Sequence, residues 1–420
     1  MSSSKNTEEK PLRIAFIHPD LGIGGAEQLV VNFALALQNK GHYVKIYTPF
    51  HDPKHCFKET IDGTLNVEVR GSIFPREIFK KFTAFCAIVR MILATLHVCL
   101  FGGKYDIVIV DQVSASIPIL RLFRKRVLFY CHFPDKLLCV ERRSIFKKFY
   151  RFFLDFFEEV TTGFAHLILV NSHFTQGIFY KSFKLLNKIK KRTDVLYPAI
   201  DLSKFDKAQV DVEIAKKFAP ETYFFSLNRY ERKKNINLAL KAYAKFKELK
   251  KNTNLKLVIC GGYDHRVREN VEHLEELRAL AKSLNIEEDK EIFFLCSVSD
   301  SARATLLRNS FCVLYTPENE HFGIVPTEAM YTERPIIACN SGGPKESVLE
   351  GKTGYLIETD ESKWAEKMAY LADHSDLANG MGKQGKVNVV NRFGLEAFAE
   401  SANNHVWSVV APKRKTKATQ

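Results

Sequence analysis

The sequence predicts an α/β protein of two domains, each a parallel sheet with helices packed on it. Three observations carry this. The chain has 420 residues, too many for one hydrophobic core. Apolar runs of strand length end repeatedly in polar or turn residues, and helix-period segments follow several of them. That alternation starts near residue 13 and starts afresh near residue 223.

Residues 13–17, "RIAFI", are the first predicted strand. The loop "HPDLGIGGAEQ" follows. A helix comes next, with Leu29, Val30, Phe33, Ala34 and Leu37 apolar and Gly41 as its stop. Residues 43–48 give the second strand and complete a βαβ opening. Its turn is not a dinucleotide fingerprint: Gly22 and Gly24 are spaced for one, but Glu27 takes the third position. Its glycines still let a phosphate or sugar approach the backbone, and a simple tight turn explains them equally. Further strands are predicted at 106–112, 126–134 and 166–172. His132 stands just past one of them, where ligands bind in open α/β sheets; a structural histidine is the alternative.

Residues 84–101 are about long enough to cross a bilayer, yet contain Arg90. Arg76, Lys80, Thr83, Ala87, Arg90, Ala94 and His97 recur at steps of four and three, so they share one helix stripe. Phe82, Phe85, Ile88, Val89, Ile92, Leu93 and Leu96 cover the rest. An interfacial helix with its basic stripe outward, a buried core helix and a true span all fit. Residues 144–159, "SIFKKFYRFFLDFFEE", set Lys147, Lys148 and Arg151 among seven aromatics, and 178–192 are similar. Lys and Arg can snorkel to headgroups while Phe enters the acyl boundary.

The second α/β pattern opens with "YFFSLNRYERKKNINLALKAYAKF" from 223. Arg229 lies past the strand and Lys234 near the helix start, a pairing suited to a diphosphate; a solvated charged loop is the bland reading. Strands follow at 255–262, 291–299, 311–315 and within 334–348. Thr316 and Pro317 end the 311–315 strand, and Pro326 fits the first turn of a helix. Glu320 therefore sits on a loop at a strand's carboxyl end, and Glu328 in the opening turn of the helix. A carboxylate there suits sugar or ribose hydroxyls, and the amides around Gly323 suit phosphate oxygens. Gly342 and Gly343 make another turn open to close ligand approach. A helix-like segment begins beyond about 391.

Composition narrows the class. Hydrophobic content of 46% and charged content of 26% describe a globular protein. Nine cysteines lack CxxC pairs, and Cys99, Cys260 and Cys312 sit in apolar runs, so they read as reduced core residues. No Asn-x-Ser/Thr sequon occurs, and the polar first ten residues predict no cleavable leader. The cytosol or its membrane faces are expected. Of the net charge of +14, residues 1–195 hold +12, from 29 Lys and Arg against 17 Asp and Glu. Such a field attracts nucleic acid or anionic membrane. With no zinc finger, RNP signature or helix-turn-helix pattern, nucleic acid is not the expected partner.

Arg229 with Lys234, the glutamates Glu320 and Glu328 with seven residues between them, and the "GGPKE" turn together resemble the family 4 retaining glycosyltransferases of the GT-B fold. The match runs over nearly the whole chain. "GIGGAEQLV", "DQVSASIP", "FYCHFPD", "TTGFAHLILVNSHFT", "VLYPAID", "NRYERKKN" and "EHFGIVPTEAM" are similar to the eukaryotic mannosyltransferases of dolichol-linked oligosaccharide assembly. That resemblance implies two Rossmann-like domains facing across a cleft. Residues 1–10 would be disordered. Residues 11–195 would face acceptor and membrane, 196–390 would bind nucleotide sugar, 391–411 would form a helix packing back on the first domain, and 412–420 a basic tail.

The implied activity is retaining transfer of mannose from GDP-mannose to a dolichol-pyrophosphate oligosaccharide. An α-1,3 branch comes first and an α-1,6 branch second, on the cytosolic face of the endoplasmic reticulum membrane. Other enzymes of the pathway are implied partners. No prosthetic group or divalent metal is called for: there is no Asp-x-Asp, and side-chain cations answer the phosphate charge. Arg229 and Lys234 would neutralise the diphosphate, and Glu320 would hold mannose hydroxyls. The amides of His321, Phe322 and Gly323 would stand near sugar or phosphate, beside Gly342 and Gly343, and Glu328 would bind ribose. His132 would lie near mannose and acceptor, where Gly24 and Gly25 let the acceptor or diphosphate close in. Arg90, Lys147, Lys148 and Arg151 would face the membrane. Two other readings stay open: a family 4 enzyme with another donor or acceptor, and a non-catalytic membrane-binding protein on this fold. Two departures stand out. The chain ends in a basic tail where family members can carry hydrophobic segments, and Cys296 stands where relatives often have glycine.

Overall fold

The computed structural model describes residues 10–78, 82–138 and 145–411. The chain divides into two compact units. The amino unit runs to Ala199 and takes up the chain again at Leu395; the carboxyl unit is Ile200–Gly394.

The amino unit is built on seven strands: β1 (Arg13–Ile17), β2 (Tyr43–Thr48), β3 (Asn66–Val69), β4 (Ile107–Asp111), β5 (Val127–Cys131), β6 (Leu167–Val170) and β7 (Thr193–Val195). Their order is β3-β2-β1-β4-β5-β6-β7 and every pairing is parallel. β1, β4, β5 and β6 are apolar almost throughout because helices cover both faces of the sheet. On one face lie the helices Gly25–Asn39 and Leu395–Val410, with the Phe33 ring between those of Phe16 and Phe398 at 5.3 and 5.7 Å. On the other face the Thr83–Leu100 helix inserts Met91, Ala94 and Val98. β3, with Asn66 and Glu68, and β7, with Thr193 and Asp194, lack the apolar run that marks the foreseen strands.

The Thr83–Leu100 helix is long and apolar enough to cross a membrane by length and composition. Its packing reverses the outward basic stripe that the sequence suggested. Arg90 and Ala94 are buried, and the Arg90 guanidinium donates to the Pro49 carbonyl. Phe85, Leu93 and Leu100 face out instead. A helical stripe identifies which residues share a face. It does not say which face goes in, and a buried guanidinium is tolerated where a carbonyl satisfies it.

The carboxyl unit has six strands: β8 (Tyr223–Leu227), β9 (Lys256–Gly261), β10 (Ile292–Cys296), β11 (Cys312–Tyr315), β12 (Ile336–Cys339) and β13 (Gly354–Ile357). Their order is β10-β9-β8-β11-β12-β13, again all parallel. The Ile236–Leu249 and Glu361–Asp373 helices pack together over a core that includes Tyr243, Phe246 and Trp364. The edge strand β13 was not foreseen. The terminal helical region is two helices, Ser375–Phe393 and Leu395–Val410, parted at Gly394.

Both sheets reverse their winding once, between β1 and β4 and between β8 and β11. Connections leave such a point in opposite directions, so a crevice opens at the strands' carboxyl ends. The predicted site residues cluster at these two points.

Candidate active site

In the carboxyl unit, β8 ends at Leu227 and a 3-10 turn, Arg232–Lys234, leads into the Ile236–Leu249 helix. The Thr316 hydroxyl, just past β11, donates to the Lys234 carbonyl at 2.8 Å and ties the turn to the neighbouring strand end. Lys234 Nζ then meets Glu320 Oε1 at 2.5 Å, with both side chains largely buried. Residues 86 positions apart are thus joined in one ion pair at the reversal point. Arg229 does not join them. It is largely exposed and reaches Glu231 at 3.2 Å, which Lys233 also contacts at 3.0 Å.

The Glu320 loop is held by the turn after β12. The Gly343 amide donates to the Glu320 carbonyl at 2.8 Å, and the Asn319 amide to the Ser341 hydroxyl at 3.0 Å. A Cβ on Gly342 would stand 2.4 Å from the Glu320 carbonyl oxygen, and one on Gly343 would stand 2.1 Å from that of Phe322. The expectation of a ligand approaching these glycines therefore changes: the chain itself fills the space a Cβ would take. Gly323 has φ of 78°, left-handed backbone that favours glycine, beside the Tyr315 hydroxyl. Phe322 turns its side chain into the core against Phe393, while His321 is half-buried, which lowers its pKa. Glu328 lies a turn into the Ile324–Tyr331 helix, deeper than expected, and pairs with Arg303 of the Asp300–Asn309 helix.

In the amino unit, His132 lies just beyond β5 with Nε2 2.9 Å from Asp111 Oδ1. The other Asp111 oxygen is 2.8 Å from His18 Nδ1, and His18 Nε2 is 3.7 Å from Glu27. Burial opposes a charged His18, but Asp111 and Glu27 outweigh it and raise its pKa to about 9. Burial likewise opposes the Asp111 carboxylate, but the two imidazoles hold it down at about 2. Gly24 precedes the Gly25–Asn39 helix, and a Cβ on it would stand 2.2 Å from the Glu27 carboxylate, whereas Gly25 faces open space. A cavity of about 370 Å³ opens beside this turn, lined by Asp20, Gly22, Glu27, Asp52, His55 and Arg76.

Sequence reading missed His18, Asp111 and Arg303 as site residues. For the first two a signal existed: "RIAFIH" and "IVIVD" each end an apolar strand in a titratable side chain. Arg151, expected at the membrane, is instead buried and meets Asp135 and Asp155, each at 2.8 Å. The side chains of Lys147 and Lys148 lie outside the described residues. The Ile145–Gly163 helix turns Phe149, Phe152, Phe153, Phe156 and Phe157 outward.

Two parallel-sheet units, each with charged groups gathered at its strand reversal, are the architecture of the GT-B glycosyltransferases. Residues 23–204 match Glycosyltransferase Family 4 and residues 209–388 match Glycosyl transferases group 1. The fold is shared with Anabaena Alr3699/HepE in complex with UDP, at TM-score 0.69 and 17% identity over 94% of this chain and 100% of that one. It is also shared with WaaG, a glycosyltransferase involved in lipopolysaccharide biosynthesis, at TM-score 0.63 and 14% identity over 94% and 99%. Sequence similarity is closer to the alpha-1,3/1,6-mannosyltransferase ALG2 of Dictyostelium discoideum, 44% identical over 420 residues, covering 95% of this chain and 99% of that one. The Homo sapiens ALG2 is 44% identical over 406 residues, covering 94% and 95%. The chain belongs to the alpha-1,3/1,6-mannosyltransferase ALG2 family.

Proposed function

We propose that the chain is a retaining mannosyltransferase that moves mannose from GDP-mannose onto a dolichol-pyrophosphate oligosaccharide, first in α-1,3 and then in α-1,6 linkage. The Lys234–Glu320 pair at the β8/β11 reversal carries this reading. Cleaving the bond between the mannose anomeric carbon and phosphate builds negative charge on GDP and oxocarbenium character on the sugar. Lys234 answers the first, joined by the exposed Arg229 once it leaves Glu231. Glu320, released from Lys234, accepts hydroxyl hydrogen bonds from mannose. The acceptor hydroxyl adds to the anomeric carbon on the face the phosphate leaves, and its proton passes to the departing phosphate oxygen. Glu328, steadied by Arg303, accepts from the ribose hydroxyls. In the amino unit His132 and the carboxylates Asp20, Glu27 and Asp52 around the cavity at Gly22 suit the neutral hydroxyls of the acceptor glycan. No resident metal enters this scheme.

The amino unit, in the same reading, rests on the cytosolic face of the endoplasmic reticulum membrane. Support comes from the outward Phe149, Phe152, Phe153, Phe156 and Phe157 in the half of the chain that carries +12. A contiguous exposed apolar face marks an interaction surface, and basic surroundings suit anionic lipid.

One incubation tests the chemistry. The protein in liposomes receives GDP-mannose and a phytanyl-pyrophosphate trisaccharide of two N-acetylglucosamines and one mannose. The product should gain one hexose and then a second, in α-1,3 and α-1,6 linkage. Turnover with UDP-glucose and none with GDP-mannose would overturn the donor assignment.

A further inference from the structure

Strand register builds a buried chain of side chains in the amino unit. Ile17 of β1 lies opposite Val110 of β4, so His18 falls beside Asp111 one step on. Asp111 lies opposite Tyr130 of β5, and His132 is two residues further on the same face. Three neighbouring strands thus bring His18, Asp111 and His132 into one row at their carboxyl ends. His18 has no exposed surface and Asp111 almost none, while the His132 side chain is about a quarter exposed. Only the last of the three can touch substrate.

We infer that His18 is a positioning residue for mannosyl transfer: with Glu27 behind it, it fixes the Asp111 carboxylate, which pairs with His132 Nε2 and so sets the orientation of that partly exposed ring. This rests on the mannosyltransferase reading above. Asp111 has two oxygens and each is committed to a different imidazole, at 2.8 and 2.9 Å. The carboxylate is hydrogen-bonded to His18 and in ion-pair contact with His132, so turning it would disturb both contacts at once. Such fixing costs nothing during the reaction, because the orientation is made on folding. The groups facing His18 are Asp111 from β4 and Glu27 from the helix. Those facing Asp111 are His18, His132 and, from β5, the Tyr130 hydroxyl and Cys131 thiol. Tyr130 is occupied by the Leu196 carbonyl at 3.0 Å and leaves the row undisturbed.

The test compares His18→Asn, whose amide can still donate to Asp111, with His18→Phe, which fills the space without a donor. His18→Phe should lower kcat about 100-fold, the scale of a small misplacement of a reacting group, with KM for GDP-mannose unchanged. His18→Asn should recover most of that loss. Equal losses in both variants with a raised KM, or wild-type kcat in His18→Phe, would overturn the inference. If His18→Phe does not fold, Asp111→Asn keeps the shape and removes the charge. It should then lower kcat at unchanged KM, and full activity there overturns the inference equally. Wild-type protein that transfers no mannose fails the reaction itself. Active wild type with indifferent variants fails only the role of His18.

Discussion

In the carboxyl unit, Lys234 and Glu320 meet on loops and keep part of their surface in water, and Arg229 is mostly exposed. In the amino unit, His18 and Asp111 meet at strand ends and are sealed from solvent. The first arrangement can change partners. Separating a largely buried pair has a cost, and an arriving diphosphate offsets it by giving Lys234 a new anionic partner. The second cannot, because removing one member strands a buried charge. One unit is built to receive a charged ligand, the other to hold a geometry fixed.

The largest effect should fall where partners are exchanged. Lys234→Ala should lower kcat/KM for GDP-mannose about 100- to 1000-fold, as for loss of one preorganised donor, while the thermal melting point stays within a few degrees. A variant that transfers mannose at wild-type rate would break the contrast, because the mobile pair would then be surface decoration.

The sealed network should show itself in stability against pH. His18 is raised to about 9, so its contribution is full below about 6.5 and is lost as pH rises toward 9. Asp111 is lowered to about 2, so its contribution is present above about 3.8 and is lost as pH falls below that. Glu158 adds a separate loss. Burial raises it to about 7, so charging it between about 4.5 and 7 opposes the fold. Urea unfolding at pH 7.5 and 9 should therefore differ, by a few kcal/mol at most. His18→Phe should flatten that interval and leave the Glu158 interval intact. A flat wild-type curve between pH 7.5 and 9 would mean that His18 is not charged.

A smaller effect is expected at the Gly343 turn, which braces the receiving loop. Gly343→Ala sets a methyl 2.1 Å from the Phe322 carbonyl oxygen. The overpacking should cost about 1–3 kcal/mol, read in thermal unfolding, and raise KM for GDP-mannose more than it lowers kcat. The smallest expected effect on catalysis lies on the outer face of the Ile145–Gly163 helix. Phe152→Glu with Phe156→Glu should weaken liposome flotation several-fold, on the order of 1 kcal/mol. Activity on a detergent-soluble acceptor should stay intact. Unchanged flotation would move membrane contact elsewhere.

Much of the fold was legible because long buried strands announce themselves. Phe311–Tyr315 and Ile107–Asp111 are apolar almost without interruption, as parallel strands covered on both faces must be. β3, β7 and β13 were not legible, since none is an unbroken apolar run: Asn66 and Glu68 interrupt β3, Thr193 and Asp194 begin β7, and Gly354 opens β13. The Lys234–Glu320 meeting was approached from sequence because each residue follows a strand end, and strand ends converge at a reversal. The His18–Asp111–His132 row was not. It depends on register between strands remote in sequence, which local pattern does not contain. Arg90 shows the opposite failure: its periodicity was read correctly, but its direction depends on a carbonyl at Pro49 that no helical wheel includes.

The last helix, Leu395–Val410, completes the core of the unit that is synthesised first: Phe398, Ala402 and Val406 cover Phe33 and its neighbours. A ribosome therefore delivers most of the amino unit long before the piece that closes it. The entire second unit emerges in the interval. Until residues 395–410 are made, a nascent chain lacks the segment that covers the Phe33 side of the Gly25–Asn39 helix, and exposed apolar surface of that kind favours aggregation. A stop near codon 394 would keep every proposed catalytic side chain and remove the helix that covers Phe33, so the expected outcome is a folding defect with no site residue lost.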